Sequence, residues 1–271
     1  MTAVMPGPPV SRSGRVAAVD WSGRAVGSER FIWIAIAEEG RLASLESGRD
    51  RGALADHLVE LALSDPELVV GLDFGFSLPL WFLDREGFEN GMAVPAAESE
   101  RWLRECPPPF WGRLGRRRGP KQQHRRTERI MAIRGKPIFQ VGGSGAVGTG
   151  SLRGFAVLAR LRREGFRIWP FDDPGTPMAV EIFPRLLTGT VVKSRAAERD
   201  RHLRLRGWPL AGAVSEDAFD AEVSALVMDR HRADLLALSA EGDPVLRREG
   251  RIWAPPIPVG ARLASPSSES C

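Results

Sequence analysis

Apolar and polar positions follow two periods along this chain, and the switches between them mark out its elements. After a Pro- and Gly-rich start, Arg15 to Val19 is a short apolar run of β type that stops at Asp20 and enters the turn-forming Trp21-Ser22-Gly23. Phe31 to Ala37 is a second such run. The Glu39-Gly40 turn predicts that Arg41 to Ser47 pairs back as a third strand, making a β-meander. The period then lengthens: Leu54, Leu58, Leu61 and Ala62 recur at helical spacing and predict an amphipathic helix over Arg51 to Leu63, ended by Pro66. Leu68 to Leu72 is apolar on both faces and stops at Asp73.

From Pro79 to Arg134 both periods fade into Trp-, Pro- and Arg-rich sequence, read as an insertion with helical pieces. Arg113, Arg116, Arg117, Arg118, Lys121, Arg125 and Arg126 crowd within it. Pro137 to Val141 suggests a short strand ahead of the glycine-rich stretch Gly142 to Gly150, and Ser151 to Arg163 returns to the helical period. Phe166 to Phe171 and Met178 to Phe183 are further β-type runs. Near the end, Ser215 is a natural N-cap for a helix whose Phe219, Val223, Leu226 and Val227 form one apolar stripe. The expectation is one α/β domain over 15–261, a mixed sheet with flanking helices and an insertion at about 79–150, between a disordered start at 1–14 and a disordered Ser/Pro-rich tail at 262–271.

Composition narrows the function classes only slightly. With 271 residues, 43% of them hydrophobic, the chain is long enough for a substantial core. A formal charge of +4, carried mostly by arginine, tilts it towards anionic partners such as nucleic acid or nucleotides. Cys106 and Cys271 lack metal-ligand spacing, and no stretch approaches the roughly 18–20 uncharged apolar residues of a membrane span. Met1 to Gly14 has Pro and Gly where a signal peptide has its apolar core. A cytoplasmic protein that binds no membrane is the expectation.

The acids change the picture more. Asp20 and Asp73 each end a run that belongs in a buried strand, where an uncompensated charge is expensive unless a cation neutralises it. One such acid is readily a turn or cap residue; two in one chain favour a shared cation. Glu181 lies inside a β-type run, a place that also suits a solvent-facing residue on an edge strand. Asp217 and Asp220 share one face of the late helix. Acids in a first helical turn commonly just stabilise the positive helix end, but Asp220 borders the apolar stripe. Hard divalent ions, Mg²⁺ or Mn²⁺, bind such carboxylates, and two of them roughly 4 Å apart support phosphoryl displacement. Asp20, Asp73, Glu181, Asp217 and Asp220 are thus candidate catalytic residues, with Asp20, Asp73 and Asp220 as metal ligands.

The order of these elements resembles the ribonuclease H fold. The segments Val-Asp20-Trp-Ser-Gly, Gly-Leu-Asp73-Phe-Gly-Phe-Ser-Leu-Pro, Arg126-Thr127-Glu128, Gln140 through Gly154, Trp169-Pro170-Phe171, Val180-Glu181-Ile182-Phe183-Pro184 and Asp217-x-x-Asp220-Ala221 are similar to the DUF429 family of predicted ribonuclease-H-like nucleases. The resemblance runs from about Val16 to Pro256. It implies a metal-dependent nuclease with substrate contacts at Arg126 and Glu128. The bulky Trp21 after the first acid departs from the small residue common in related folds and would narrow access to the metals.

Rival readings use other features. Gly143-Ser144-Gly145-Ala146-Val147-Gly148 spells a dinucleotide-binding loop, with Asp172 or Asp173 as the distal acid; alternatively, backbone N–H groups around Gly143 and Gly145 hold a substrate phosphate. Arg116, Arg117 and Arg118 are candidate contacts to a nucleic-acid backbone, or simply a solvated surface of a non-catalytic binding module. His57, His202 and His231 read as ordinary surface residues, and His124 as a candidate proton shuttle or phosphate contact.

Overall fold

The computed structural model describes residues 14–119, 122–133, 135–208 and 214–256. The expected disordered start before Gly14, the tail, Lys121 and Arg134 lie outside the described residues.

The meander forms as the β-type runs and the Glu39-Gly40 turn predict. Strand β1 (Val16–Asp20) pairs antiparallel with β2 (Trp33–Glu38), which pairs antiparallel with β3 (Arg41–Ser47). Glu39 and Gly40, with φ of 52° and 77°, supply the left-handed pair that a tight hairpin needs. Helix α1 (Arg51–Ser64), capped by the Asp50 carboxylate on the Ala53 N–H at 2.8 Å, carries the chain back to β4 (Val69–Leu72). The insertion contributes α2 (Leu80–Glu86), α3 (Ala96–Glu105) and α4 (Arg126–Ile130). There follow α5 (Val147–Arg163), β5 (Arg167–Ile168), β6 (Met178–Glu181), α6 (Pro184–Thr188), α7 (Ala196–Leu205), α8 (Glu216–Arg230), α9 (Arg232–Leu236) and α10 (Leu246–Glu249). All six strands form one mixed sheet in the order β3-β2-β1-β4-β6-β5, parallel from β1 onward.

Alternation assigns each strand residue to a face. Val16, Ala18, Ala35, Ala37, Val69 and Val180 meet α8 through Phe219, Val223 and Leu226. Ala17, Val19, Ile34, Val70, Leu72 and Ala179 face the opposite way, onto α1 and α5. Gly71 lets α8 approach closely, since a Cβ there would lie 2.4 Å from the Met228 sulfur. On α8, Glu222 has no accessible surface, and neither of its carboxylate oxygens has a hydrogen-bond partner.

The insertion has an aromatic cluster of its own. Phe82, Trp102, Phe110 and Phe139 pack with ring centroids 5.1 to 5.5 Å apart and lean on Leu152 and Phe155 of α5. Burying each such ring is worth roughly 1.5–3 kcal/mol, enough to seat the insertion without a second sheet. This cluster corrects one expectation. Pro137 to Val141 is apolar because Ile138, Phe139 and Val141 fill the cluster, and it makes only a single bridge, from Gln140 to Trp111, in place of a strand. In the Phe166 to Phe171 run the strand is confined to Arg167 and Ile168, with one further bond from the Trp169 N–H to the Ala179 carbonyl at 3.0 Å.

Candidate active site

Register brings the strand-end acids together. Val19 sits beside Leu72 on parallel neighbours, so Asp20 and Asp73 follow one strand spacing apart, about 5 Å. The Asp73 N–H, donating to the Val19 carbonyl at 3.1 Å, extends that pairing past the end of β4. Both acids continue the alternation of the α8 face. There α8 begins, its Ser215 hydroxyl accepting from the Ala218 N–H at 3.0 Å as predicted, and its first turns deliver Asp217 and Asp220. Burial raises all four carboxyls above their ordinary range. Next in effect for Asp20 are the charges of Asp73, Asp220 and Asp217, and for Asp73 that of Asp220. Asp220 is almost fully buried, and its Oδ1 has no hydrogen-bond partner.

One residue of this centre escaped the sequence reading. Lys193, between α6 and α7, donates its ammonium to Asp220 Oδ2, and its charge draws down the carboxyls of Asp20, Asp73, Asp217 and Asp220 alike. The signal was compositional: only Lys121, Lys136 and Lys193 are lysines among 38 cationic residues. Among the described residues no group of three or more His, Cys, Asp or Glu is arranged to hold a metal ion. The acids sense one another's charge without closing on one point. In chemistry the set suits a hard dication: carboxylate oxygens, raised by burial, one of them without a partner.

Glu181 stands apart. It shares the parity of Ala179, on the face opposite α8, in a strand flanked on both sides, and so is neither an edge residue nor a member of the four-acid group. Its carboxylate accepts from the Phe76 N–H at 2.8 Å and is gripped through both oxygens by the buried Arg125 guanidinium. Burial still holds its carboxyl up, against the pull of Arg125, and its charge adds to the raising of Asp73. Arg125, which looked like one more member of the basic run, is 1% exposed; it also donates to Glu128 Oε1 at 3.0 Å and to the Glu249 carbonyl at 3.1 Å. Glu128, expected at the substrate, turns inward for the same reason, accepting from the Arg125 N–H at 2.7 Å. Arg126 pairs with Asp243 at 2.9 Å, whereas Arg116, Arg117 and Arg118 are exposed.

The loop after Asp20 is anchored to α5. The Trp21 indole N–H donates to the Gly150 carbonyl at 3.1 Å, Arg51 donates to the Ser22 carbonyl at 3.0 Å, and Arg153 donates to the Gly23 carbonyl. A Cβ on Gly23 would lie 2.4 Å from the Gly150 nitrogen, so the two backbones touch. The same region removes support from the dinucleotide reading. Among the described residues no strand leads directly into the glycines, α5 starts a turn earlier than expected, and its first N–H groups are engaged. Val147 donates to the Gly145 carbonyl at 2.9 Å, Gly148 to Gln140 at 2.9 Å and Thr149 to Ala146 at 3.2 Å. Asp172 caps its own turn, accepting from the Ile168 N–H at 3.0 Å. Gly143 and Gly145, with φ of 79° and 65°, shape this loop.

Among the histidines, His202 is buried between Phe219 and Trp208, which corrects its reading as a surface residue; burial lowers its pKa to about 4. His124 lies 3.6 Å from Glu128 and faces a cavity that Asp73 also lines. Among the described residues no helix is long and apolar enough to cross a membrane. Compared with known proteins, the chain matches no family model, no curated protein and no solved structure.

Proposed function

We propose that this protein is a metal-dependent phosphodiesterase acting on nucleic acid, built on a ribonuclease-H-like sheet. The observation that carries the reading is the grouping of Asp20, Asp73, Asp217 and Asp220 from two adjacent parallel strand ends and one helix start. Such crowding of like charges is unfavourable in the protein alone and becomes favourable with a cation. The β3-β2-β1-β4 order, an antiparallel meander joined to a parallel strand, supports the fold assignment, as does the resemblance of the motifs to DUF429. Asp20, Asp73 and Asp220 would hold Mg²⁺ or Mn²⁺, which when bound supplies positive charge to a phosphoryl group undergoing displacement. Lys193 stabilises the acids in the absence of metal and must release Asp220 for its second oxygen to serve. Asp217, half-buried at the helix start, completes the group on the solvent side. Glu181 acts at one remove, holding Arg125 and the Phe76 amide and so the loop that follows Asp73.

The test is a panel of RNA, DNA, hybrid and branched substrates with Mg²⁺ or Mn²⁺. Cleavage is expected to vanish in chelator and in Asp20→Asn and Asp73→Asn. Activity that survives both substitutions, or persists in chelator, overturns the reading.

A further inference from the structure

A cavity of about 460 Å³ adjoins the acid centre, within the range of pockets that enclose a small molecule. Of the four grouped acids, Asp73 alone lines this space, which borders the face under α8 there and at Ile182. One side is aromatic and apolar. The Trp21 ring, fixed by its bond to Gly150, rests 4.6 Å from the Phe74 ring, with Ile133 and Val147 nearby in the wall. The other side is polar. His124 lies in the wall with its buried Nδ1 3.6 Å from the Glu128 carboxylate, and Lys136, exposed at the rim, donates its ammonium to the Ser144 carbonyl. The buried Arg125, Glu128 and Glu181 satisfy one another there.

A ligand for this space needs a flat apolar body for Trp21, a polar edge for the wall around His124 and a negative group for Lys136, whose ammonium keeps two donors beyond the one given to Ser144. A nucleotide has all three. A base still paired and stacked in a duplex cannot lay its face on Trp21 inside this half-open cavity; it must first leave the stack. We propose that the cavity receives one unpaired nucleotide, its base against Trp21 and its backbone held at the rim by Lys136, so that the substrate is nucleic acid that is single-stranded or branched beside the cut. The inference rests on the proposed phosphodiesterase reading, and it adds the substrate class.

Binding is measured with the full chain in chelator, so that its outcome is separate from that of the cleavage assay. The probes are deoxyadenosine 5′-monophosphate, deoxyadenosine alone, inorganic phosphate alone, and a 12-nucleotide strand free or in blunt duplex. The monophosphate is expected to bind more tightly than either part, and the free strand more tightly than the duplex. Val147 lines the cavity and is 39% exposed at the first position of α5, so a larger side chain there is expected to leave the fold intact and to take up cavity space. Val147→Trp should weaken monophosphate and single-strand binding at least tenfold. Trp21→Leu should weaken both by about 5- to 150-fold, the span of one base–aromatic stack, and Trp21→Phe should restore part of the loss. Failure of the monophosphate to bind, binding unchanged in a folded Val147→Trp, or equal affinity for strand and duplex overturns the proposal. Loss of cleavage with nucleotide binding intact would instead count against the metal-dependent reading alone.

Discussion

At the scale of single residues, the acids oppose the fold that positions them. Asp20 and Asp73 have raised carboxyl pKa values, so the folded chain holds protons there that the unfolded chain has released. Stability is therefore lost as pH rises from the unfolded towards the folded pKa. Asp20→Asn and Asp73→Asn should each raise the melting temperature of the metal-free protein at pH 8, with a smaller gain at pH 4. A lower melting temperature at pH 8 would show that the charges are already compensated. Glu222 obeys the same sign with no counter-charge at all: burial lifts it from 4.5 to about 7. Glu222→Leu should stabilise by about 3 kcal/mol at pH 8, and the gain should shrink towards pH 5; urea titrations at the two pH values decide this. Lys193 shows where residue-level reading stopped. It lies in irregular chain, carries no periodic signal, and is drawn into the centre only by the packing of α6 against α8.

The elements were more legible than their contacts. The continuous apolar runs that stop at Asp20 and Asp73, and the Ser215 cap, predicted the three elements that carry the four acids, because burial inside a sheet and satisfaction of helix N–H groups are local requirements. The partners of Glu181 and Arg125 were not legible: a residue in a basic run and an acid in a β-type run look alike whether they meet each other or water. Their pairing ties the insertion to β6, and breaking it leaves two buried carboxylates without their cation. Arg125→Met should cost roughly 3–5 kcal/mol by urea denaturation, with part recovered in Arg125→Met/Glu181→Gln. Gly71 controls the other face. Gly71→Ala should cost about 1–3 kcal/mol by pushing on Met228, and cleavage should fall with it as α8 lifts Asp220 from Asp73. Met228→Val in the same chain should restore both; unchanged activity in Gly71→Ala would show that α8 does not set the spacing of the acids.

For the whole molecule, the basic segment and the cavity belong to one side through a backbone contact. A Cβ on Gly112 would lie 2.5 Å from the Gly142 carbonyl, so the chain leading to Arg116, Arg117 and Arg118 is pinned to the loop that lines the cavity. Replacing those three arginines with alanine should flatten the salt dependence of nucleic-acid binding by about one unit of log–log slope per lost contact. An unchanged slope would assign them to another role. Composition suggested the anionic partner, and only the fold shows that Arg113, Arg116, Arg117, Arg118 and Arg126 of that run are exposed while Arg125 is interior. The helix that completes the acid centre also decides when the centre can exist. Asp20 and Asp73 belong to the first third of the chain, Lys193, Asp217 and Asp220 to the last, and the sheet face between them stays uncovered until α8 docks. A nascent chain emerging from the ribosome therefore carries two isolated acids and no assembled site through most of its synthesis. Chains that stop short of residue 216 lack Asp217, Asp220 and the helix that carries them, so under the proposed phosphodiesterase reading they should be inert in the cleavage assay.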